Sequence, residues 1–388
     1  MRRSHPGEVG TLTGSPLVDG SCDPAFAGLR EAFTANFIDH DEIGAALCVY
    51  SHGRPVVDLW GGHVRENGPA WQPDTLVNAF SVGKGITALL TAVCVAHGHL
   101  AYDDPVARHW PEFAAAGKDS ITIREVLGHR AGLPAIRRVL HDDAMYEWET
   151  MTSALADETP WWEPGTAHGY HVNTFGFLVG EILRRATGER AALLLRSLVA
   201  GPAGADLWFG VPRTEHQRIA DLRWNATPTV PADPRNLTED QLMWAHAHVN
   251  PPGLSGVGHV NTERWRSGEM PSTSMHASAR GVARAYDAFV HGLVSPEVIN
   301  DSVREVSDGT DLVLQRNTRF GAGFQLPIPE RGFGPNPGAF GHYGAGGSMG
   351  FTDPAAEISV GYVMNHMGQG WQTPRNRALL TALYDCLG

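Results

Sequence analysis

Strand-like sequence lies at the two ends of this chain and is sparse between them, which restricts the folds open to it. Near the N-terminus two apolar runs, Gly44-Ala45-Ala46-Leu47-Cys48-Val49-Tyr50 and Pro55-Val56-Val57-Asp58-Leu59-Trp60-Gly61, flank Ser51-His52-Gly53-Arg54. Gly53 can supply the positive φ of a tight turn, so the pair reads as a β-hairpin. Near the other end, Phe351-Thr352-Asp353-Pro354 and Ile358-Ser359-Val360-Gly361-Tyr362-Val363-Met364-Asn365 suggest a second hairpin. Helical periodicity marks 23–38 (with Pro24 near its start), 82–98, 171–187, roughly 277–293 and about 373–386, and Ile121–Pro134 reads as a short helix closed by a turn. Between about 200 and 275 the chain is rich in Pro, Gly, Asn and Trp and reads as loops and short helices. This order implies one sheet assembled from both ends of the chain and a mainly helical middle. The expected architecture is α/β, a single unit over 1–388 with an α/β lobe from 1–100 and 275–388, a helical lobe over 101–274, and a cleft between them.

At 388 residues the chain is too long for one minimal core, and 42% hydrophobic against 19% charged residues is the balance of a folding, globular sequence. The formal charge of -12 comes without a Lys/Arg run able to neutralise phosphates, which argues against a nucleic-acid partner. Met1-Arg2-Arg3-Ser4-His5-Pro6-Gly7-Glu8-Val9-Gly10 is basic but has no apolar stretch behind it, and no window reaches the roughly 18 apolar residues that span a bilayer. The expectation is a cytoplasmic protein with no membrane partner; oligomeric state stays open. Cys22, Cys48, Cys94 and Cys386 form no CxxC pair, so neither a zinc site nor a redox motif is expected, and buried free thiols are.

Ser81-Val82-Gly83-Lys84 opens the apolar helix at 82–98. Residues i and i+3 share a helix face, so this S-x-x-K spacing brings the lysine amine to the serine hydroxyl, and the helix N-terminus favours negative charge on that oxygen. A lysine desolvated in a cleft loses basicity towards water and can accept the serine proton. Taken alone the motif is common. Two others accompany it in order: Gly169-Tyr170-His171-Val172-Asn173-Thr174-Phe175-Gly176 before a helix, and Gly341-His342-Tyr343-Gly344-Ala345-Gly346-Gly347-Ser348-Met349-Gly350 before a strand.

Together these motifs resemble the three-motif pattern of serine β-lactamases and penicillin-binding proteins, most closely that of the β-lactamase-like family VIII carboxylesterases. The resemblance runs over roughly 23–388 and takes in Leu127-Gly128-His129-Arg130-Ala131-Gly132-Leu133-Pro134, similar to a turn of that superfamily. It implies a β-lactamase/penicillin-binding-protein-like fold, an antiparallel sheet flanked by helices plus a helical lobe, and a cofactor-free acyl-serine route with no metal. Ser81 is then the nucleophile, Lys84 and Tyr170 a coupled general base and acid whose division of labour stays open, and the N–H groups of Ser81 and Ala345 the oxyanion hole. His342, Tyr343, Gly344, Val172 and Trp161 would face the small-molecule acyl substrate. Val172 stands where the family's tyrosine motif usually has asparagine, with Asn173 one residue out of register, and His342 stands where the β-lactamase K-T-G triplet has its lysine. Both departures point away from β-lactams and towards esters or other acyl groups. An acyltransferase or amide-forming transacylase is the rival enzyme, a β-lactamase or peptidoglycan peptidase a weaker one, and a catalytically silent binding scaffold the rival outside enzymes.

Other features have simpler readings. Gly346-Gly347-Ser348-Met349-Gly350 satisfies G-x-S-x-G, but a nucleophile elbow needs a strand before its serine and a helix after it, whereas here a Gly-rich turn precedes and a strand-like run follows. His246 and His248 lack a third metal ligand and read as loop histidines; His129 and His168 read as hydrogen-bonded structural histidines. Trp161-Trp162 serves equally as a cleft wall or as core.

Overall fold

The computed structural model describes residues 18–224 and 237–388. The basic N-terminal stretch and the middle of the Pro-rich region therefore lie outside the described residues. The strands are β1 (Val18–Cys22), β2 (Gly44–Ser51), β3 (Arg54–Gly62), β4 (Val77–Asn78), β5 (Leu207–Phe209) and β6 (Met275–Ala277). They continue with β7 (Ser307–Asp311), β8 (Arg316–Phe320), β9 (Phe340–Tyr343), β10 (Met349–Asp353) and β11 (Ile358–Met364). Six of them form one antiparallel sheet in the order β1-β3-β2-β11-β10-β9, so β2 from the N-terminal end pairs directly with β11 from the C-terminal end. Both expected hairpins are present, and the first turns through His52 and Gly53, each with positive φ.

The sheet is covered on both faces, which is why β2 is a continuous apolar run with no polar alternation. Leu47 and Val49 face the helices Ala27–Asp39 and Pro374–Leu387, where Leu29, Phe33, Leu379 and Leu383 complete one core. Ala46 and Cys48 face the other side, where the helices Val82–Ala96 and Ala279–Ala288 bring Ile86, Val282 and Tyr286. That second core continues without a break into the helical middle, through Leu127, Leu155 and Leu178. The four cysteines are free. No helix among the described residues is long and apolar enough to cross a membrane.

Several elements carried no periodic signal. β1 pairs with β3 at the sheet edge, but its sequence, Val-Asp-Gly-Ser-Cys, has no apolar run. The region expected as loops contains β5 and leads into β6, which pairs with both β5 and β4 in a three-stranded sheet, and it holds an eleven-residue helix, Glu239–Val249. That helix has a capping box between Thr238 and Gln241, a start signal readable in the sequence. The β7–β8 hairpin was also unannounced.

The C-terminal helix is fastened to the sheet by a buried ion pair. Arg375 Nη1 donates to Glu42 Oε1 at 2.8 Å, with the two side chains 5% and 0% exposed, and the Tyr362 hydroxyl donates to the second carboxylate oxygen. Removing one partner strands a buried charge, at a cost of about 3–5 kcal/mol. Arg375→Met should therefore lower the urea midpoint sharply, whereas Glu42→Gln combined with Arg375→Met should recover part of the loss.

Candidate active site

Three elements fix the position of Ser81. β4 pairs with β6, Ala79 N–H donates to Met275 O at 2.8 Å, and Phe80 then takes φ of +48° before the helix begins. A positive φ at a bulky residue is uncommon and costs backbone energy; here the surroundings hold it, with Phe80 buried edge-on against Trp224 at 5.6 Å. The reversal leaves Ser81 at the N-cap of the helix Val82–Ala96, with its side chain free of any capping bond.

Lys84, one turn on, is fully buried. Its Nζ lies 3.1 Å from Ser81 Oγ, 2.6 Å from Val172 O and 3.3 Å from Ser272 O, all oxygens without formal charge. The segment carrying Ser272 comes this close because residue 83 is glycine: a Cβ there would stand 2.3 Å from Pro271 O. Burial without a carboxylate partner holds the Lys84 pKa well below the usual lysine range.

Tyr170 is buried in a ring of aromatic groups. His129 and Trp371 lie at centroid distances of 4.9 and 5.1 Å, Phe320 and His342 stack at 5.9 and 6.0 Å, and Lys84 Nζ sits 4.8 Å over its ring. Its hydroxyl faces Ser81 without closing a full hydrogen bond, and burial pushes the phenol pKa up. Asp311 holds its backbone: Tyr170 N–H donates to both carboxylate oxygens at 3.0 Å, and Val313 N–H, Leu314 N–H and the Thr318 hydroxyl fill the remaining lone pairs. On the opposite side the Leu127–Pro134 turn grips the same loop. His129, at φ +62°, accepts from Gly169 N–H at its carbonyl and from His171 N–H at Nδ1. His171 donates from Nδ1 to Gly169 O and accepts Leu133 N–H at Nε2, which defines its neutral tautomer, and its burial keeps its pKa down at about 3. His168 donates to Thr318.

The third motif closes the site. Gly344 runs so near the segment leading into Ser81 that a Cβ would meet Ala79 O at 2.3 Å, and Ala345 follows it directly. Neither Ser81 N–H nor Ala345 N–H donates to another protein group among the described residues, so both remain available to a substrate oxygen. His342 donates from Nδ1 to Tyr343 O at 2.6 Å; burial first, then Lys84, keeps it well below the usual histidine range and hence neutral.

Of the residues expected to face substrate, Tyr343 is a correction. Side chains alternate along β9, so with His342 towards Tyr170 the Tyr343 ring leaves the other face of the strand, stacks on Phe333 and donates its hydroxyl to Gly332 O. Val172 offers Lys84 its carbonyl, while its side chain joins Trp161, Trp162, Ala135, Met243 and Val313 in a small apolar cluster. Within that cluster Trp161 donates to Ala135 O and carries Arg137 at 3.7 Å over its ring. Asn173 is tied to Ala247 O, Ser255 and Thr273 and is unavailable to a ligand. Ser348 is fully buried and is followed by β10 with no helix after it, so it lacks the elbow geometry. His246 and His248 each bond a backbone carbonyl. Asp311 and Trp371 escaped sequence reading; an isolated aspartate in an unforeseen hairpin gives no signal. A cavity of about 930 Å³ lined by Trp148, Phe177, Trp208 and Glu269 includes none of these groups.

Comparison with known proteins bears on the family and the fold. The Beta-lactamase family model matches residues 27–383. The esterase/beta-lactamase LipL of Mycobacterium tuberculosis (strain ATCC 25618 / H37Rv) is 31% identical over 368 residues, covering 90% of this chain and 83% of LipL. Among solved structures, a family VIII carboxylesterase superposes with a TM-score of 0.88 at 35% identity, covering 95% of this chain and 100% of that one. A penicillin-binding protein homologue from Caulobacter crescentus superposes with a TM-score of 0.86 at 38% identity, covering 95% and 99%. With its fold, the order of its three motifs and these matches in agreement, the chain belongs to the beta-lactamase family.

Proposed function

We propose that this protein is a serine hydrolase that cleaves carboxylic esters through an acyl-enzyme on Ser81, with Lys84 as the base and Tyr170 as the acid. The observation that carries the reading is the coordination of Lys84. A neutral amine has two N–H groups and one lone pair; with Val172 O and Ser272 O taking the N–H groups, the lone pair is left for the Ser81 hydroxyl. Tyr170 suits the opposite role, since a buried phenol with a raised pKa rests protonated and has a proton to give. The esterase and carboxylesterase relatives support ester substrates.

Ser81 Oγ attacks the ester carbonyl as its proton passes to Lys84. The N–H groups of Ser81 and Ala345 receive the oxyanion, each such donor being worth roughly 3 kcal/mol. The carbon–oxygen bond to the alcohol breaks, the departing oxygen takes the Tyr170 proton, and the Lys84 ammonium restores it. Water then attacks the acyl group, its proton passing to Lys84; the bond to Ser81 Oγ breaks, the Lys84 ammonium returns that proton to Ser81, and the carboxylic acid leaves with both enzyme groups restored. The neutral imidazole of His342 leaves this exchange undisturbed.

Burst assays with short-chain p-nitrophenyl esters test the assignment. Ser81→Ala should lose the burst and labelling by a fluorophosphonate probe, while Ser348→Ala keeps both; the reverse would sink the proposal. Lys84→Ala and Tyr170→Phe should each lower kcat by roughly 10²–10⁴-fold. Partition of the acyl group between water and added amines separates hydrolysis from acyl transfer.

The pH dependence follows from the depressed Lys84 pKa. The base works only when neutral, so kcat/KM should fall as pH drops through that pKa and stay level above it, with no need for pH near 10. A profile rising only towards pH 10 would mean an ordinary, solvated lysine and would contradict the proposed base.

A further inference from the structure

Trp371 stands against the reacting groups, its ring centroid 5.1 Å from that of Tyr170 and 6.1 Å from that of His342. Two guanidiniums share that ring, Arg316 at 4.5 Å and Arg331 at 5.1 Å. Neither forms an ion pair with a carboxylate among the described residues. Asp311, whose field reaches both, has spent its oxygens on Tyr170, Val313, Leu314 and Thr318, and Glu330 is exposed. Arg331 donates to Asn317 O at 2.9 Å. Burial, and next the like charge of Arg316, press its pKa down to about 10. An independent feature points the same way. Gln325, 5% exposed, accepts Tyr343 N–H at Oε1, but its Nε2 has no acceptor among the described residues, and with Arg331, Phe320 and Trp371 it lines one small cavity.

Two cations without an ion-pair partner among the described residues and an unspent amide donor beside one aromatic ring leave this side of Tyr170 poor in acceptors. We propose that Arg316 and Arg331 form a carboxylate-binding rim, so that the favoured substrates are esters that also carry a free carboxylate. The inference deepens the acyl-serine reading and rests on it. Guanidinium suits the task because its planar fork matches a carboxylate and it stacks on an aromatic face with little loss of hydration. A formal charge of -12 repels anions at long range, but that repulsion is screened beyond about 8 Å in physiological salt, whereas the rim acts at contact distance. It also supplies, from a different part of the chain, positive charge that the neutral His342 lacks.

Phenol release from phenyl hydrogen glutarate and its methyl-capped diester tests a carboxylate on the acyl side; acetyl release from 4-acetoxybenzoate and its methyl ester tests the alcohol side. In each protein the readout is the ratio of kcat/KM for the anionic ester to that for its capped partner, so a general loss of activity cancels. The wild type should favour the anionic member of one pair by roughly ten- to hundredfold, as charge-assisted hydrogen bonds provide. Arg316→Gln with Arg331→Gln should bring that ratio close to one, and Arg316→Gln alone, at the exposed member, should lower it if the double variant folds poorly. A wild-type ratio near one or below in both pairs, or a preference that survives in the variants, overturns the inference. Hydrolysis that persists in Ser81→Ala would instead overturn the acyl-serine reading beneath it.

Discussion

The arrangement depends on a lysine buried without a counter-charge. An ammonium sealed from water costs several kcal/mol unless an anion faces it, and Lys84 faces a hydroxyl and two carbonyls. Giving up the proton is the cheapest response. The geometry around it follows: the S-x-x-K spacing sets Ser81 beneath the amine, Gly83 lets the turn carrying Ser272 close over it, and the Tyr170 loop delivers Val172 O. Basicity at this site is thus a property of the packing between three separate segments.

Tyr170 is constrained in a complementary way. Its hydroxyl faces Ser81 without closing a full hydrogen bond to any side chain among the described residues; its backbone is clamped between Asp311 on the β7–β8 hairpin and the His129 turn, and its ring is walled by Phe320, Trp371 and His342. Positioning through the backbone leaves the phenolic proton uncommitted, as the proposed role of proton donor requires. It also explains why a turn remote in sequence, Leu127–Pro134, accompanies the three motifs: it holds the second of them in place.

What could be read from sequence divides along the reach of the interactions involved. The hairpins at 44–61 and 349–364 and the helices beginning at Val82 and Thr174 announce themselves through local periodicity and turn residues, and Ser81 and Lys84 through a spacing within one helical turn. Tyr170, Ala345 and His342 needed a pattern of motifs, since each acts through contacts far away in the chain. Asp311 was illegible because its importance lies in four donors spread over 170–318, and Tyr343 was misread because the face of a strand that meets the site depends on register, which the triplet alone does not specify.

The imidazole at position 342 and the arginines on Trp371 are two sides of one electrostatic problem. A permanent cation at 342 would lie in the same dry pocket as Lys84, where interactions between charges are weakly screened, and would compete with it for the few uncharged acceptors. His342 avoids this by remaining neutral, with Nδ1–H committed to Tyr343 O. Positive charge sits instead farther out, where Arg316 is exposed and Arg331 half-buried, and partial solvation keeps the cost of holding it down. Charge placed at the rim can attract an anion without holding the base protonated, so on the proposed reading recognition and proton transfer fall to separate groups on either side of the Trp371 ring.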